Sequence, residues 1–372
     1  MKPPSLPASQ QLGFGFDDAA ISMPAVPPVI ALRRAPPPLD APPQIAAVIV
    51  PPEPVPDAPV IVKTDIQPEP KLTAEAEVMA QVLDAHPDFR VLRRLAPQLT
   101  FPPATGPVAT LLVLDTETTG LNPTRDKVVE LALLRVTVDL RTGQPVGQLQ
   151  VYDGLEDPGI PMPDEIIAIT GITDDMLLGQ RLDEAEVLRM LEGVDLVLAH
   201  NAGFDRPFVE SRLPQFAALN WACSFADIDW KQEGRGSAKL TALAYDLGLF
   251  YDAHRAEMDC HALLAVLMAS LKTTQASGLS RLIESALKPT FRLQATNAPF
   301  DAKDLLKARG YRWDGAQKVW HTRLSDEAAL VLECEWLKSA VYAGRSSRVQ
   351  VEELDAKTKY SARPGQVGWR EL

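Results

Sequence analysis

Cysteine is scarce in this chain and never paired by spacing. Cys223, Cys260 and Cys334 are the only three in 372 residues, with no C-x-x-C among them. That argues against a disulfide framework and against a structural zinc site. Long apolar runs are missing too, since none approaches the roughly 18 residues that span a bilayer. The opening decapeptide, MKPPSLPASQ, lacks the apolar stretch of a secretory signal. These absences lead to the expectation of a soluble, cytoplasmic protein with no membrane partner. Positive charge is also in deficit: the formal net charge is −12, an unpromising sum for a nucleic-acid binder. The distribution is uneven, however, with −3 over residues 1–75, −13 over 76–280 and +4 over 281–372. An acidic centre suits either a metal site or an ordinary solvated surface.

What is abundant is proline, and it is concentrated at one end. Eighteen of the 33 prolines fall in the first 70 residues, where the missing amide donor and fixed φ oppose both helix and central strand. Residues 1–72 are expected to be a disordered, partly polyproline II tail. Within it, QQLGFGF (Gln10 to Phe16) and IAAVIV (Ile45 to Val50) are short apolar islands. The first faintly resembles the glutamine-plus-apolar peptides that dock on bacterial sliding clamps. A helical lead-in is expected over 73–105, a main domain over 106–275, a small α+β unit over 289–342 and a flexible tail over 343–372.

In the main domain, apolar stretches predict strands at Leu111 to Asp115, Val128 to Val138 and near Leu149 to Tyr152. Helices are predicted at 164–170, 183–191, 203–213, 238–247 and 256–272, with the strand VDLVLAH between the second and third. Strands in succession, followed by helices interleaved with another strand, indicate an α/β fold with a mixed sheet flanked by helices.

Three segments carry the chemistry. LLVLDTETTGLNP (Leu111 to Pro123) starts as an apolar strand and ends in Asp115 and Glu117. A period of two puts both carboxylates on one face, with Leu114 and Thr116 on the other. Paired hard oxygens at a strand end suit Mg²⁺ or Mn²⁺. VLAHNAGFDRPFV ends a second strand at His200-Asn201 and carries Asp205 into a helix, where Pro207 is comfortable only in the first turn. DAHRAEMDCHALLAVLMA places His254 and Asp259 five residues apart. That is about 140° around a helix, so His254 belongs in the preceding loop and Asp259 in the first turns. The wholly apolar run after Asp259 buries this helix, and a carboxylate there needs a partner.

DTETTG, HNAGFD and HRAEMD, in this order, resemble the three motifs of the DEDDh 3′→5′ exonucleases, the family of the proofreading epsilon subunit of bacterial DNA polymerase III, ribonuclease T and oligoribonuclease. PMPDEIIAITGITDDML (Pro161 to Leu177) resembles the pattern common beside the first motif. The resemblance covers residues 109–273. It implies a ribonuclease H-like fold and hydrolysis assisted by two Mg²⁺ or Mn²⁺ ions. By the same resemblance, Asp115, Glu117, Asp205 and Asp259 are metal ligands and His254 is the general base, with Asp115 and Glu117 also counted as catalytic. Thr118, Thr119, Asn201 and Leu240 are expected around the 3′-terminal nucleotide.

The C-terminal stretch GYRWDGAQKVWHTRL interleaves Tyr311, Trp313 and Trp320 with Arg312, Lys318 and Arg323. Such a mixture can grip single strands or simply form a small core. The expected function is release of nucleotides from the 3′ end of single-stranded or frayed DNA, in repair or proofreading. The alternatives are trimming of RNA 3′ ends, or an accessory protein touching a polymerase or sliding clamp through the tail.

Overall fold

Ala-rich, acidic-first sequence over Ala74–Asp84 forms α1, with Glu75 and Glu77 in the first turn, where the helix dipole favours negative charge. The computed structural model describes residues 74–372; the expected Pro-rich tail, with both of its apolar islands, lies outside the described residues. Two units divide the chain after Phe89, and α1 belongs to the first. The expected helical lead-in over 73–105 is corrected in its second half. After α1 the chain runs extended through β1 (Arg93–Arg94), because Pro87, Pro97, Pro102 and Pro103 deny it a helix.

The main sheet follows the predicted order. Three antiparallel strands, β2 (Val108–Thr118), β3 (Val128–Asp139) and β4 (Gln144–Leu155), lead to α2 (Asp164–Thr170), α3 (Asp174–Leu177) and α4 (Glu184–Leu191). Then come β5 (Leu196–Ala199), α5 (Ala202–Arg212), β6 (Trp221–Cys223), α6 (Leu240–Asp246), β7 (Leu249–Phe250), α7 (Ala256–Met268) and α8 (Gly278–Ala286). The sheet order is β4-β3-β2-β5-β6, with β5 parallel to both β2 and β6. Strand β2 is therefore central, and its apolar run from Leu111 to Leu114 is fully buried. Alternate residues feed two cores: Leu111 and Val113 pack on the side of α6, α7 and α8, Leu112 and Leu114 on the side of α4 and α5. Helix α8 lies beyond the expected end of this domain at 275, yet Leu279, Leu282 and Ala286 join the same core.

The C-terminal unit is larger than predicted. Strand β8 (Thr290–Ala295), α9 (Lys303–Ala308), β9 (Arg312–Asp314), β10 (Val319–Leu324), α10 (Glu327–Trp336), β11 (Arg348–Leu354) and β12 (Gln366–Glu371) build an antiparallel sheet ordered β12-β11-β8-β10-β9. The expected flexible tail over 343–372 is thus a correction: β11 pairs directly with β8. Its alternating Val349 and Val351 supply apolar side chains to the core of this unit. Among the described residues, no helix is long and apolar enough to cross a membrane, and all three cysteines are unpaired and buried.

Candidate metal centre and active site

The two faces of β2 decide how the site is assembled. Asp115 and Glu117 continue the Leu111–Val113 side and meet α7. There, ligand oxygens of Asp115, Glu117 and Asp259 all lie within 4.8 Å of one another. Thr116 points to the opposite side and meets α5. Asp205 Oδ1 accepts the Thr116 hydroxyl at 2.8 Å and its amide at 3.1 Å. Asp205 thus approaches the end of β2 from the other face, which explains why it stands next to the tight three-carboxylate group instead of in it.

The electrostatics are those of buried carboxylates crowded against one another. Burial, then Asp205, Asp259 and Glu117, push the Asp115 carboxyl well above its ordinary value. Burial, then Asp259 and Glu130, raise Glu117 to about 8. Burial raises Asp205 to about 7 against the pull of its Thr116 bonds, and burial raises Asp259 as well. Four carboxylates that cannot all ionise in place need positive charge. Their all-oxygen donor set fits a hard divalent ion such as Mg²⁺ or Mn²⁺.

Loop and helix geometry present Asp259. Tyr251 Oη donates to its Oδ1 at 2.8 Å, and the His254 amide donates to its Oδ2 at 2.7 Å. His254 is in the loop before α7, as predicted, with its side chain exposed and φ at 68°. A non-glycine residue in that region is uncommon. Glu130 of β3, fully buried, anchors the same turn. It receives Arg255 at 2.8 Å and the Ala256 amide at 2.9 Å. Glu130 also faces Glu117 across the strands, and Arg255 offsets the repulsion between them.

The nucleotide-contact expectations fare differently. Asn201 stands exposed at the N-cap of α5 with φ of 69° and no side-chain cap bond. Thr118 and Thr119 are buried, and their side chains serve the protein: Thr118 Oγ1 donates to Gly120 O, and Thr119 Oγ1 accepts from the Lys127 amide. Leu240 starts α6 and packs into the core. Helix α5 begins at Ala202, one residue before the expected start at 203, and continues through Pro207. Phe204 and Phe208 pair as i,i+4 neighbours at 5.1 Å.

Sequence reasoning missed Tyr251, Glu130 and Arg255. Glu130 did leave a signal, as the one acidic residue inside the apolar run VVELALLRV. Tyr251 left none, because its role depends on how its loop folds back.

Comparison with known proteins agrees with this geometry. The exonuclease family typified by ribonuclease T matches residues 112–267. Residues 112–267 are thus similar to an exonuclease domain. The chain is 37% identical over 105 residues to the PolC-type DNA polymerase III of Listeria welshimeri, covering 28% of this chain and 7% of that protein. It is 30% identical over 227 residues to the PolC-type polymerase of Thermotoga maritima, covering 58% and 15%. The chain therefore spans only a small part of these relatives. Among solved structures, exonuclease X bound to 5′-overhanging duplex DNA aligns at 26% identity and a TM-score of 0.34, covering 46% of this chain and 99% of that one. The zinc-bound E. coli exonuclease I complex with single-stranded DNA aligns at 18% identity and 0.37, covering 50% and 48%.

Proposed function

We propose that the exonuclease domain removes nucleotides one at a time from the 3′ end of single-stranded or frayed DNA in a reaction dependent on divalent metal. The observation that carries this reading is the convergence of Asp115, Glu117 and Asp259 within 4.8 Å, with Asp205 delivered beside them through Thr116. DNA is favoured over RNA as substrate because the curated relatives are DNA polymerases by name.

Asp115, Glu117, Asp205 and Asp259 would hold the Mg²⁺ or Mn²⁺ ions, which supply charge neutralisation at the scissile phosphate and an acidified water. The chain's own groups do the rest. Tyr251 and the His254 amide fix the Asp259 carboxylate from two sides. The exposed His254 imidazole takes a proton from the attacking water as general base. The water oxygen bonds to phosphorus, the P–O3′ bond breaks, and a nucleoside 5′-monophosphate departs while the shortened strand keeps a 3′-hydroxyl. In the stretch GYRWDGAQKVWHTRL, Tyr311 is buried whereas Trp313 is 50% exposed, so Trp313 is better placed than Tyr311 to stack on a strand.

The decisive experiment is digestion of matched 3′- and 5′-labelled DNA and RNA oligonucleotides in Mg²⁺, Mn²⁺ or EDTA. Metal-dependent shortening of DNA from the 3′ end supports the reading. Faster shortening of RNA transfers it to an exoribonuclease, and activity that survives Asp115→Asn overturns it.

A further inference from the structure

Helix α5 carries Asp205 but has a weak beginning. Asn201 gives it no side-chain cap, and Pro207 inside the helix has no N–H to donate. Something outside the helix must hold its first turns. Thr116 holds Asp205 from one side. From the other side the helix is held by Arg206, which is completely buried.

A buried guanidinium needs acceptors for five N–H donors, and the exonuclease fold provides only part of them. Arg206 Nε donates to Glu210 Oε1 at 2.6 Å, and the guanidinium lies 5.1 Å from the Trp221 ring. Its remaining bonds leave the domain. Nη2 donates to the Lys357 carbonyl at 2.5 Å, and Nη1 donates to the carbonyls of Lys359 and, at 3.5 Å, Ala356. These carbonyls belong to the loop between β11 and β12 of the C-terminal unit. The loop is itself tied down on several sides. Trp221 N donates to Ala356 O at 2.8 Å, Ser361 Oγ to Glu210 Oε2 at 2.7 Å and Lys359 Nζ to Lys288 O at 2.6 Å. Arg363 donates to Ala217 O at 2.9 Å, and Tyr360 donates to Asp227.

We propose that Arg206 is a positioning residue for the metal centre, clasped by residues 355–363 so that α5 presents Asp205 to the other carboxylates. The C-terminal unit is then part of the working nuclease and not a detachable accessory. The inference rests on reading the four carboxylates as a metal centre, and its consequence is a link between a loop remote in sequence and metal affinity.

The test uses the full chain and Mn²⁺ alone, titrated by electron paramagnetic resonance without nucleic acid, beside kcat and KM on a labelled oligonucleotide. Arg206→Lys keeps the charge but loses the planar fork. It is expected to weaken Mn²⁺ binding about tenfold, in the range found when groups supporting metal ligands are altered. Its kcat should fall in proportion and recover at high Mn²⁺, with KM unchanged. A purely structural role would lower Tm and leave Mn²⁺ affinity alone. A folded Arg206→Lys protein with wild-type Mn²⁺ affinity overturns the proposal. Should that variant fail to fold, Arg363→Ala, at the exposed rim of the clasp, decides: weaker Mn²⁺ binding supports the proposal and wild-type binding overturns it. Mn²⁺ binding that depends on Arg206 in a protein without nuclease activity would refute the proposed function and leave the clasp standing. A wild-type chain that binds no Mn²⁺ refutes both.

Discussion

Tyr251 donates its hydroxyl to Asp259 Oδ1 across 2.8 Å, while the backbone of His254 holds the other oxygen at 2.7 Å. Both oxygens of the carboxylate are thereby held by the protein. Tyr251→Phe keeps the ring and removes that donor. Mn²⁺ affinity should fall about tenfold, with kcat reduced at limiting metal and restored at saturating metal. Calorimetric titration alongside rate measurements checks this, and an unchanged affinity would show that the tyrosine only packs.

Asp115 is the most crowded of the four acids, raised by burial and by Asp205, Asp259 and Glu117. Asp115→Asn should abolish metal-dependent digestion. The same change removes a buried like charge, so in EDTA at alkaline pH the variant should melt several degrees above wild type, each kcal/mol being worth about 2–4 °C in a domain of this size. Loss of activity together with a lower Tm would point to damage to the fold instead.

The pH dependence of stability has a definite sign. Glu117 is raised to about 8 and Asp205 to about 7 in the folded protein, from ordinary carboxylate values. A raised folded value means that protonation favours the folded state. The metal-free protein should therefore lose stability as pH climbs from about 5 through 8, where these groups are forced to ionise in place. Mn²⁺ should raise Tm more at pH 8 than at pH 5, because it replaces the protons. Thermal scans in EDTA and in Mn²⁺ across this window test it, and a flat profile in EDTA would contradict it.

His254 is exposed on its turn, and the bond it makes to Asp259 comes from its backbone amide. His254→Ala leaves that amide in place. The rate should drop by about 10²–10⁴-fold, the usual worth of a general base, while Mn²⁺ affinity stays near wild type. Parallel loss of both would mean that the side chain acts through the metal centre.

Trp313 is half exposed and lies against Trp320, with ring centroids 5.5 Å apart. Trp313→Ala should weaken single-strand binding by about 1–3 kcal/mol, the typical worth of one stacked base. A fluorescence-anisotropy titration at two salt concentrations would detect it, and equal affinity would leave the tryptophan a packing role.

The β2 carboxylates were legible in the sequence because a strand has a strict period: two acids two residues apart at the end of an apolar run must share a face. The placement of His254 before α7 was legible for a similar reason, since a five-residue spacing does not fit one helical face. Asp205 was legible as a residue, but its route from the opposite face of the sheet was not, because Thr116 looks like filler between two acids. Glu130 and Tyr251 act through contacts between distant segments, for which no local pattern exists. Strands β11 and β12 were read as loose because RVQVEEL and QVGWRE are mostly polar. Their pairing with β8 and with each other, more than their own apolar content, makes them strands.

The loop between those two strands has a temporal consequence. Arg206 and its partners at Ala356 and Lys359 are separated by 150 and 153 positions along the chain. On the ribosome, then, all four acids emerge long before the loop that grips the Asp205 helix. A chain stopped before Ala356 carries the acids without the grip, so the proposed clasp can form only once residues 355–363 have been made.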